Sequence, residues 1–327
     1  MSFYRPRNFF CTYGDENYLP HVLALLSSLR AQEGTFRLLL LCLTEEAFRR
    51  AQPLQGDDFR VCSIRDLESA DPELYETKNG RSPIEYYFTC TPCWTRLAME
   101  KEPEAEWMTY LDADLYFYQS PNVIMTQLEK YSVGITPHRF PGSLRHLEAH
   151  GKFNVGWVSF RRDTNGKKCL EDWRIKCLEW CYDRAEDGRY GDQKYLDEWP
   201  DRFSGVKILE DHGINLASWN VGGGKLTATK GEVLIDGQPL IFYHFSGLRQ
   251  LRPGFYNPQW SQHGIRPCRV LRNLVYRPYV RELERCRQNL QKCEVIGSNR
   301  YQEKAFRHNM GWWKLFRRTL RGDYIKV

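Results

Sequence analysis

The stretch that decides the fold reads Trp107-Met108-Thr109-Tyr110-Leu111-Asp112-Ala113-Asp114, and an aromatic run follows it at residues 115–118. Its first half predicts a buried strand, and the two acids at its end predict a turn. If the chain turns there, both carboxylates can face one hard divalent cation. Because carboxylates in apolar surroundings need a partner, a metal ion is a natural one. An isolated pair of this kind is more often a solvated turn, so the rest of the chain decides.

Strands and helices alternate along the first half of the chain. Short apolar runs predict strands at residues 9–13, 36–43, 59–64, 107–111 and 131–136. Apolar residues every three to four positions predict helices at residues 18–29, 84–99 and after 121, with Thr44 as the N-cap of another. Because parallel neighbours need a crossover, the alternation predicts an α/β fold with a Rossmann-like, mostly parallel sheet flanked by helices.

The alternation weakens after residue 150, where a second lobe is expected. The predicted elements there are a strand at 153–160, helices at 168–184 and 191–199, a turn at 222–224, a hairpin at 226–235, a strand at 240–243, and helices at 276–295 and 303–320. In open α/β sheets ligands bind outside the carboxyl ends of the strands. The loop at residues 12–17 and the Asp112 turn both lie at such ends.

Length and composition fit a soluble globular protein. The chain has 327 residues, of which 42% are hydrophobic and 27% charged, and no apolar run approaches the ~20 residues that a bilayer span needs. Residues 1–13 show no targeting signal, which predicts a cytoplasmic location. Eleven cysteines, an odd number without regular spacing, favour buried reduced thiols over a disulfide framework.

The positive charge is concentrated near the carboxyl end. The net charge is +6, and arginine and lysine are dense after residue 266. Residues 306–318 mix aromatic and cationic side chains, a composition that suits an anionic membrane surface on the inner face of the membrane. The same residues can equally pack on the rest of the protein, and both interpretations stay open.

Six blocks stand in a fixed order along the chain. They are Phe10-Cys11-Thr12-Tyr13-Gly14-Asp15-Glu16-Asn17-Tyr18, Tyr110-Leu111-Asp112-Ala113-Asp114, Phe153-Asn154-Val155-Gly156, Gly191-Asp192-Gln193, the region of Asn215, and Tyr243-His244-Phe245-Ser246-Gly247. Together they resemble the retaining glycosyltransferases of the GT-A fold, the group that includes glycogenin and the bacterial lipopolysaccharide galactosyltransferases. The resemblance covers residues 8 to about 250 and suggests a bacterial member.

The resemblance implies a hexosyltransferase-like enzyme that uses a nucleotide-sugar donor, with UDP favoured, and a Mn²⁺ or Mg²⁺ ion. The acceptor would be a glycan, a lipid-linked sugar or a protein, and no nucleic acid is expected. It also implies a catalytic domain at residues 1–255, with a donor half at about 1–150 and an acceptor half at about 151–255. Residues 256–327 would then form a basic, aromatic-rich helical extension.

The resemblance also assigns residues to the donor. Thr12, Tyr13 and Tyr18 would contact the nucleotide, and Asp112, Asp114 and His244 would hold the metal. The remaining donor contacts would come from Ala113, Gly156, Gly247 and Arg249. The family commonly carries Lys-Pro-Trp after the last block, whereas this chain reads Leu248-Arg249-Gln250-Leu251-Arg252-Pro253, so Arg249 or Arg252 would take over the diphosphate-binding role of that lysine. Independently of the family, Arg81 and Ser82 precede a predicted helix and can meet a phosphate through charge and the helix amino end.

Three residues are assigned to the reaction centre. By resemblance Asn154 contacts the transferred sugar, and Asp192 with Gln193 lines the reaction centre. Asp192 would deprotonate the acceptor hydroxyl in an inverting enzyme, or steady the positive charge of the sugar in a retaining one. A capping role for Asp192 at the helix that follows is an equally open interpretation.

Other functions remain to be weighed. Cys90-Thr91-Pro92-Cys93, beside Cys177 and Cys181, permits a redox or zinc site, although such pairs normally lie elsewhere in a thioredoxin-like domain. A non-catalytic carbohydrate- or nucleic-acid-binding module on the same fold would have no need for paired acids and His244. A nucleotidyltransferase would normally show a basic, glycine-rich loop after the first strand, and the loop here is acidic.

Overall fold

The elements of the protein follow the apolar pattern of the chain. A computed structural model of the protein describes residues 8–32, 34–296 and 324–327. Up to residue 137 the elements are β1 (Asn8–Gly14), α1 (Leu19–Gln32), β2 (Phe36–Cys42), α2 (Glu45–Ala51), β3 (Phe59–Ser63), α3 (Ile64–Ala70), α4 (Pro72–Thr77), α5 (Pro83–Lys101), β4 (Trp107–Leu111), β5 (Leu115–Phe117), α6 (Asn122–Leu128) and β6 (Val133–Pro137).

The second part of the chain adds smaller elements. They are β7 (Phe153–Arg161), α7 (Thr164–Glu179), α8 (Trp199–Arg202), β8 (Val206–Ile208), β9 (Leu216–Ala217), β10 (Leu226–Thr229), β11 (Glu232–Ile235), β12 (Gln238–Pro239), β13 (Phe242–His244), β14 (Arg249–Arg252), β15 (Phe255–Asn257), α9 (Arg277–Ile296) and β16 (Ile325–Lys326). The two longest 3₁₀ segments, Gly142–His150 and Lys194–Glu198, and a π-helical turn, Leu271–Tyr276, connect some of them.

Seven strands of the described residues form the central sheet, in the order β3-β2-β1-β4-β7-β6-β8. The first four of these run parallel, and β6 is parallel to β8. In this sheet β7 runs antiparallel to both neighbours, with Trp157 opposite Leu111 and Phe160 opposite Val133. The predicted α/β class, a mostly parallel sheet flanked by helices with a helix near the carboxyl end, is confirmed.

Both faces of the sheet are buried. Along β1, Phe9 and Cys11 pack in one core with Trp94 of α5, whereas Phe10 packs in a second core with Leu25 of α1. Because successive side chains of a strand point to opposite faces, this split shows that helices cover the sheet on both sides. It also explains why the strands read as nearly continuous apolar runs rather than as alternating ones.

Most predicted strands and helices agree with the structure to within about two residues, but three predictions were wrong in detail. The helix predicted at residues 168–184 is α7, which begins earlier because the Asp163 side chain accepts a hydrogen bond from the backbone N–H of Gly166. The helix predicted at 191–199 begins as the 3₁₀ segment at Lys194. The strand predicted at 240–243 is β13, so that His244 lies in the strand rather than after it.

Several short elements were not predicted. Helices α3 and α4 follow β3 directly, and their caps are Ser63, which forms a capping box with Asp66, and Asp71, whose side chain accepts from the Leu74 backbone. The strands β5, β8, β9, β14, β15 and β16 were also missed. All have four residues or fewer, too short for a periodic pattern to register.

Three-stranded sheets complete the fold around the central one. They are ordered β10-β11-β12, β5-β13-β9 and β14-β15-β16. The helix predicted at residues 276–295 is α9, which packs against α1. The helix predicted at 303–320 and the aromatic and cationic residues 306–318 lie outside the described residues. Among the helices that the structure describes, none is long and apolar enough to cross a membrane.

Candidate active site

The carboxyl end of β4 and the neighbouring strand β13 bring two acids and an imidazole together. After β4 the chain turns, since the Leu115 backbone N–H donates to the Asp112 carbonyl at 3.3 Å. The short strand β5 then pairs with β13, with Leu115 opposite His244. The Phe245 N–H donates to the Asp114 carbonyl at 2.9 Å and fixes the turn against β13. The two acids and His244 therefore converge.

The three side chains form a compact cluster. His244 Nε2 lies 3.1 Å from Asp114 Oδ1 and 3.5 Å from Asp112 Oδ2. One ligand atom from each residue lies within 4.8 Å of the others. In the described part of the chain, these three are the His, Cys, Asp or Glu residues that come close enough together to hold one metal ion. Two carboxylates and one imidazole suit Mn²⁺ or Mg²⁺ by their donor chemistry. The residues fit a divalent cation.

The three side chains of the cluster shift one another's pKa values. Burial raises the pKa of Asp112, and the nearby Asp114 adds to the rise against the opposing effect of His244. Burial acts to raise the pKa of Asp114 as well, but His244 outweighs it, so that this pKa falls below its usual value. The pKa of His244 is raised by the two acids even though burial opposes the charge. Without a cation, the imidazole supplies the positive charge that the acids need.

Asn154 orients the imidazole. Its Oδ1 lies 3.2 Å from His244 Nδ1 and accepts the Gly156 N–H at 3.0 Å. An amide oxygen accepts only, so the hydrogen-bond network places a hydrogen on Nδ1 in the charged and in the neutral imidazole alike. Nε2 therefore faces Asp112 and Asp114. Tyr110, which was not predicted, orients the first of these acids by donating its hydroxyl to Asp112 Oδ1 at 2.9 Å.

A buried polar group extends from Asn154 to the next loops. Asn215 Nδ2 donates to Asn154 Oδ1 at 3.3 Å and to Thr136 Oγ1 at 3.2 Å, and the amide nitrogen of Asn154 lies 3.3 Å from His138 Nε2. Asn215 has a left-handed backbone, with φ 56°. Its Oδ1 is buried and finds no hydrogen-bond partner among the described residues. An acceptor of this kind is available to a hydroxyl-bearing ligand.

Two further residues at this place were missed by the sequence analysis. His138 is buried and stacks on Phe140, with ring centroids 4.6 Å apart, and burial lowers its pKa to about 3. Trp219 sets its ring edge-on to His244 at 5.1 Å and donates its indole N–H to the His138 carbonyl at 3.0 Å. A weak signal did exist for His138, because it follows the carboxyl end of β6.

Asp192 lies buried beside the cluster. Burial raises the pKa of its carboxyl from 3.8 to about 7, Thr91 hydrogen-bonds to it and lowers the pKa, and Asp112 raises it further. The backbone carbonyl of Asp192 accepts the Trp173 indole N–H at 2.8 Å. The N-cap of the following 3₁₀ segment is Gln193, so the capping interpretation of Asp192 was wrong. The Gln193 side chain donates to the His150 carbonyl at 3.0 Å.

The loop after β1 borders the same place. Thr12 is fully buried, and its hydroxyl has no hydrogen-bond partner among the described residues. Tyr13 lies 5.6 Å from the ring of Tyr110, and its pKa is raised by burial and then by Asp192. Tyr18 is 49% exposed, and Asp114 is the largest cause of its raised pKa. The two tyrosines therefore face the acids of the cluster.

The predicted phosphate contacts Arg81 and Ser82 are engaged elsewhere. Ser82 is the N-cap of α5 and forms a capping box with Glu85. The Arg81 guanidinium donates to the Leu178 carbonyl at 2.6 Å and to the Thr89 hydroxyl. Arg81 thus joins α5 to the end of α7, Ser82 caps α5, and the contact of either side chain with phosphate stays a prediction.

The remaining predicted donor contacts surround β13. Ala113 is buried between the two acids, and the Gly247 carbonyl accepts from the Gln259 side chain at 2.5 Å. Gly247 needs its φ of 75°, which other residues rarely adopt. Arg249 is exposed at the start of β14, and its charge acts on Tyr18.

The Cys90 and Cys93 thiols lie inside α5, fully buried, and burial raises their pKa values well above normal. Cys177 and Cys181 are buried as well, and all four are free. Thiolates are the reactive and metal-binding form, so these side chains act as small apolar groups. The expectation of reduced, buried thiols holds for these four.

The chain was compared with family models, with solved structures and with the sequences of known proteins. No family model matches the chain. The galactosyltransferase LgtC, solved in complex with donor and acceptor sugar analogs, is similar in structure with a TM-score of 0.48 and 15% identity, covering 90% of this chain and 98% of LgtC.

Two proteins of Bacillus subtilis (strain 168) are similar in sequence. The uncharacterized protein YfnD is 30% identical over 279 residues, which are 84% of this chain and 88% of YfnD. The uncharacterized protein YfnF is 32% identical over 248 residues, which are 73% of this chain and 81% of YfnF. With identities of this size over most of each chain, the protein belongs to the same family as YfnD and YfnF.

Proposed function

We propose that the protein is a metal-dependent glycosyltransferase of the GT-A type, which transfers a sugar from a nucleotide diphosphate, UDP in the first instance, to a glycan or a lipid-linked acceptor. The observation that carries the proposal is the cluster of Asp112, Asp114 and His244 at the carboxyl end of a parallel sheet. A nucleotide sugar carries a diphosphate, and a cation held by carboxylates can bind that diphosphate and offset its negative charge.

Asp112, Asp114 and His244 would hold Mn²⁺ or Mg²⁺, which when bound neutralises negative charge on the diphosphate leaving group. His244 suits this role because Asn154 fixes Nδ1 as its donor and leaves Nε2 toward the acids. Tyr110 holds the carboxylate of Asp112 in place through one of its oxygens. The chain thus orients the ligands before a donor arrives, which lowers the cost of binding.

The loop after β1 would hold the nucleoside. Tyr18 presents an exposed ring next to Asp114, and the Thr12 hydroxyl is buried without a partner among the described residues. A ring and a hydroxyl at a strand end can stack on a base and hydrogen-bond to it or to the ribose. Ala113, Gly156 and Gly247 would let the donor approach the backbone closely.

Asp192 is the proposed reacting carboxylate, with Asn154 and Gln193 beside the sugar. In the transfer, the bond from the sugar to the diphosphate oxygen breaks, a bond to the acceptor oxygen forms, and the acceptor hydroxyl gives up a proton. A carboxyl with a pKa of about 7 can take that proton near neutral pH or, when ionised, steady positive charge on the sugar. Both roles use the ionised group.

The domain arrangement is proposed with the function. The catalytic domain would span residues 1–255 and the helical extension residues 256–327. A peripheral contact of the extension with an anionic membrane would bring the enzyme to lipid-linked acceptors on the cytoplasmic side. Liposome co-sedimentation that is lost on deletion of residues 306–323 supports this contact, and unchanged sedimentation contradicts it.

Calorimetry tests the donor site. UDP-sugars titrated into the protein are expected to bind with Mn²⁺ present and to lose most affinity without it. Asp112→Ala and Asp114→Ala should abolish the Mn²⁺-dependent binding, whereas Asp187→Ala, at an exposed turn, should leave it unchanged. Equal affinity for the UDP-sugar in the wild type and all three variants would contradict the proposed metal site.

Turnover separates an enzyme from a binding module. Slow hydrolysis of the cognate UDP-sugar in Mn²⁺, without any acceptor, is expected of a transferase because water can replace the acceptor hydroxyl. Asp192→Asn should retain donor binding and lose most of this hydrolysis, since an amide cannot accept the proton. Full activity of Asp192→Asn removes this residue from the mechanism without affecting the metal site.

A further inference from the structure

The hairpin of β14 and β15 begins close to the cluster. The Leu248 N–H donates to the Phe245 carbonyl at 3.0 Å, so the chain folds back directly after β13 and Arg249 opens the hairpin. Arg249 is exposed and pairs its backbone with Asn257. Its guanidinium has no hydrogen-bond or ion-pair partner among the described residues. Arg249 follows His244 by five residues, and the charges of Asp114 and Arg249 both act on the phenol of Tyr18, so both groups lie near that ring.

One carboxylate oxygen of α9 holds this hairpin. Glu284 Oε1 accepts a hydrogen bond from Gln250 Nε2 at 2.7 Å, from the Tyr256 hydroxyl at 2.7 Å and from the Gly254 N–H at 3.0 Å. The three donors come from β14, the turn and β15 of the hairpin. Hydrogen bonds to an ionised acceptor are shorter and stronger than neutral ones. Glu284 therefore fixes both strands and the turn of the hairpin at one point.

The position of Glu284 on α9 is itself fixed. Neighbouring side chains of the helix, Tyr279 and Leu283, are fully buried in a core with Phe245, and the Tyr279 ring stacks on that of Phe245 with centroids 3.7 Å apart. Phe245 is the residue that donates to the Asp114 carbonyl. The helix thus packs against the metal-ligand turn and, one turn later, accepts the hydrogen bonds of the hairpin.

We propose that Glu284 is a positioning residue for the donor, because it fixes the β14-β15 hairpin so that the guanidinium of Arg249 faces the diphosphate beside the Asp112, Asp114 and His244 cluster. The inference rests on the proposed function. An exposed arginine on a free hairpin would lose conformational freedom on binding, whereas a hairpin fixed beforehand avoids most of that loss. Arg249 therefore adds most to the affinity for the diphosphate when Glu284 fixes the backbone of the hairpin.

The test compares two glutamates of the same helix. Glu284→Gln replaces the charged acceptor by a neutral one of equal size. Glu282→Gln does the same at a residue that bonds Arg285 and Cys286 of α9 and Ser27 of α1, and none of these partners belongs to the hairpin. The affinity for UDP in the presence of Mn²⁺ is measured by calorimetry. Glu284→Gln is expected to weaken it by about tenfold, the effect of losing a supporting contact behind a ligand-binding group. Glu282→Gln should bind as the wild type does.

A double variant separates positioning from general damage. In an Arg249→Gln background, Glu284→Gln should have no further effect on UDP affinity, because the guanidinium that it positions is absent. Mn²⁺ affinity without UDP, read from electron paramagnetic resonance, should be unchanged in every variant. Additive losses in the double variant, or wild-type affinity in Glu284→Gln, overturn the inference while leaving the proposed function intact. Failure of the wild type to bind UDP in Mn²⁺ overturns the proposed function and this inference with it.

Discussion

Gly156 lies where the chain leaves no space for a side chain. A Cβ at this position would lie 2.6 Å from Asn154 Oδ1 and 2.8 Å from His244 Nδ1, both closer than real contacts allow. The two atoms are partners of one hydrogen bond, so a methyl group would have to separate them. The glycine therefore preserves the contact that orients the imidazole.

Gly156→Ala is expected to weaken Mn²⁺ binding at least about tenfold, because His244 loses the partner that fixes its ring. Isothermal calorimetry with Mn²⁺ measures this. Gly142→Ala is the matched control, since a Cβ there meets nothing within 4 Å, and its affinity should equal that of the wild type. Equal Mn²⁺ affinity in both variants would contradict the proposed orientation of His244.

Asp192 predicts a pH dependence of stability. Its folded pKa of about 7 exceeds the ordinary 3.8, so the folded state holds this proton more tightly than the unfolded state does. The resulting stabilisation is complete below about pH 4 and is lost as the pH rises to about 7, with a slope of up to about 1.4 kcal/mol per pH unit. Buried histidines such as His138 act in the opposite direction, so only a difference between proteins isolates Asp192.

The measurement is the free energy of urea unfolding of the metal-free protein between pH 4.5 and 7.5. Relative to the wild type, Asp192→Asn should gain stability as the pH rises, because the amide keeps no ionisable group in the buried site. Asp187→Asn, at an exposed position, should run parallel to the wild type. Parallel curves for all three proteins would show that Asp192 is ionised normally.

At the scale of elements, a buried hydrogen bond between side chains joins α9 to α1. The Tyr279 hydroxyl lies 2.8 Å from His21 Nδ1, and both residues are buried. Tyr279→Phe should destabilise the protein by about 1–3 kcal/mol, because it leaves a ring nitrogen buried without a partner. Tyr75→Phe, on an exposed ring, should change the unfolding midpoint little. Similar midpoints for the two variants would mean that water satisfies His21.

Elements were predictable from sequence where a pattern was long and local. The strand at 107–111 and the helix α5 follow directly from apolar runs and spacing. The capping box of Ser63 and Asp66 was also readable, and α3 was missed because its seven residues give little periodicity. The reversed direction of β7 was not predictable, since it depends on pairing with β4 and β6 rather than on the residues of the strand itself.

The candidate site divides in a similar way. Strand-end position and block order grouped Asp112, Asp114 and His244, and the structure places these side chains together; their role as metal ligands stays a prediction. Tyr110 and His138 escaped because their importance lies in contacts with Asp112 and Asn154, which only the folded chain creates. Hydrogen-bond partners across strands depend on the register in which the strands pair. This register depends on the neighbouring strands and the turns between them as well as on the residues of one strand.

At the scale of the whole molecule, buried thiols report on global opening. Cys90 and Cys93 are fully buried, and Cys268 is exposed. With Cys62, Cys268 and Cys293 replaced by serine, reaction with a thiol reagent should be as slow as global unfolding, because thiols in the core react only when it opens. UDP with Mn²⁺ should slow the reaction further by mass action. Fast labelling of the folded protein would show a local opening around one of the remaining thiols.

Asn215 has a wider consequence. Glycine would adopt its left-handed backbone without strain, so the backbone conformation alone does not require asparagine. Only the side-chain amide, which bonds Thr136 and Asn154, speaks for asparagine. The residue at this position therefore distinguishes relatives that share only the fold from relatives that also share the proposed activity. A relative that carries glycine at the matching position is expected to have the same fold and to lack the proposed transferase activity.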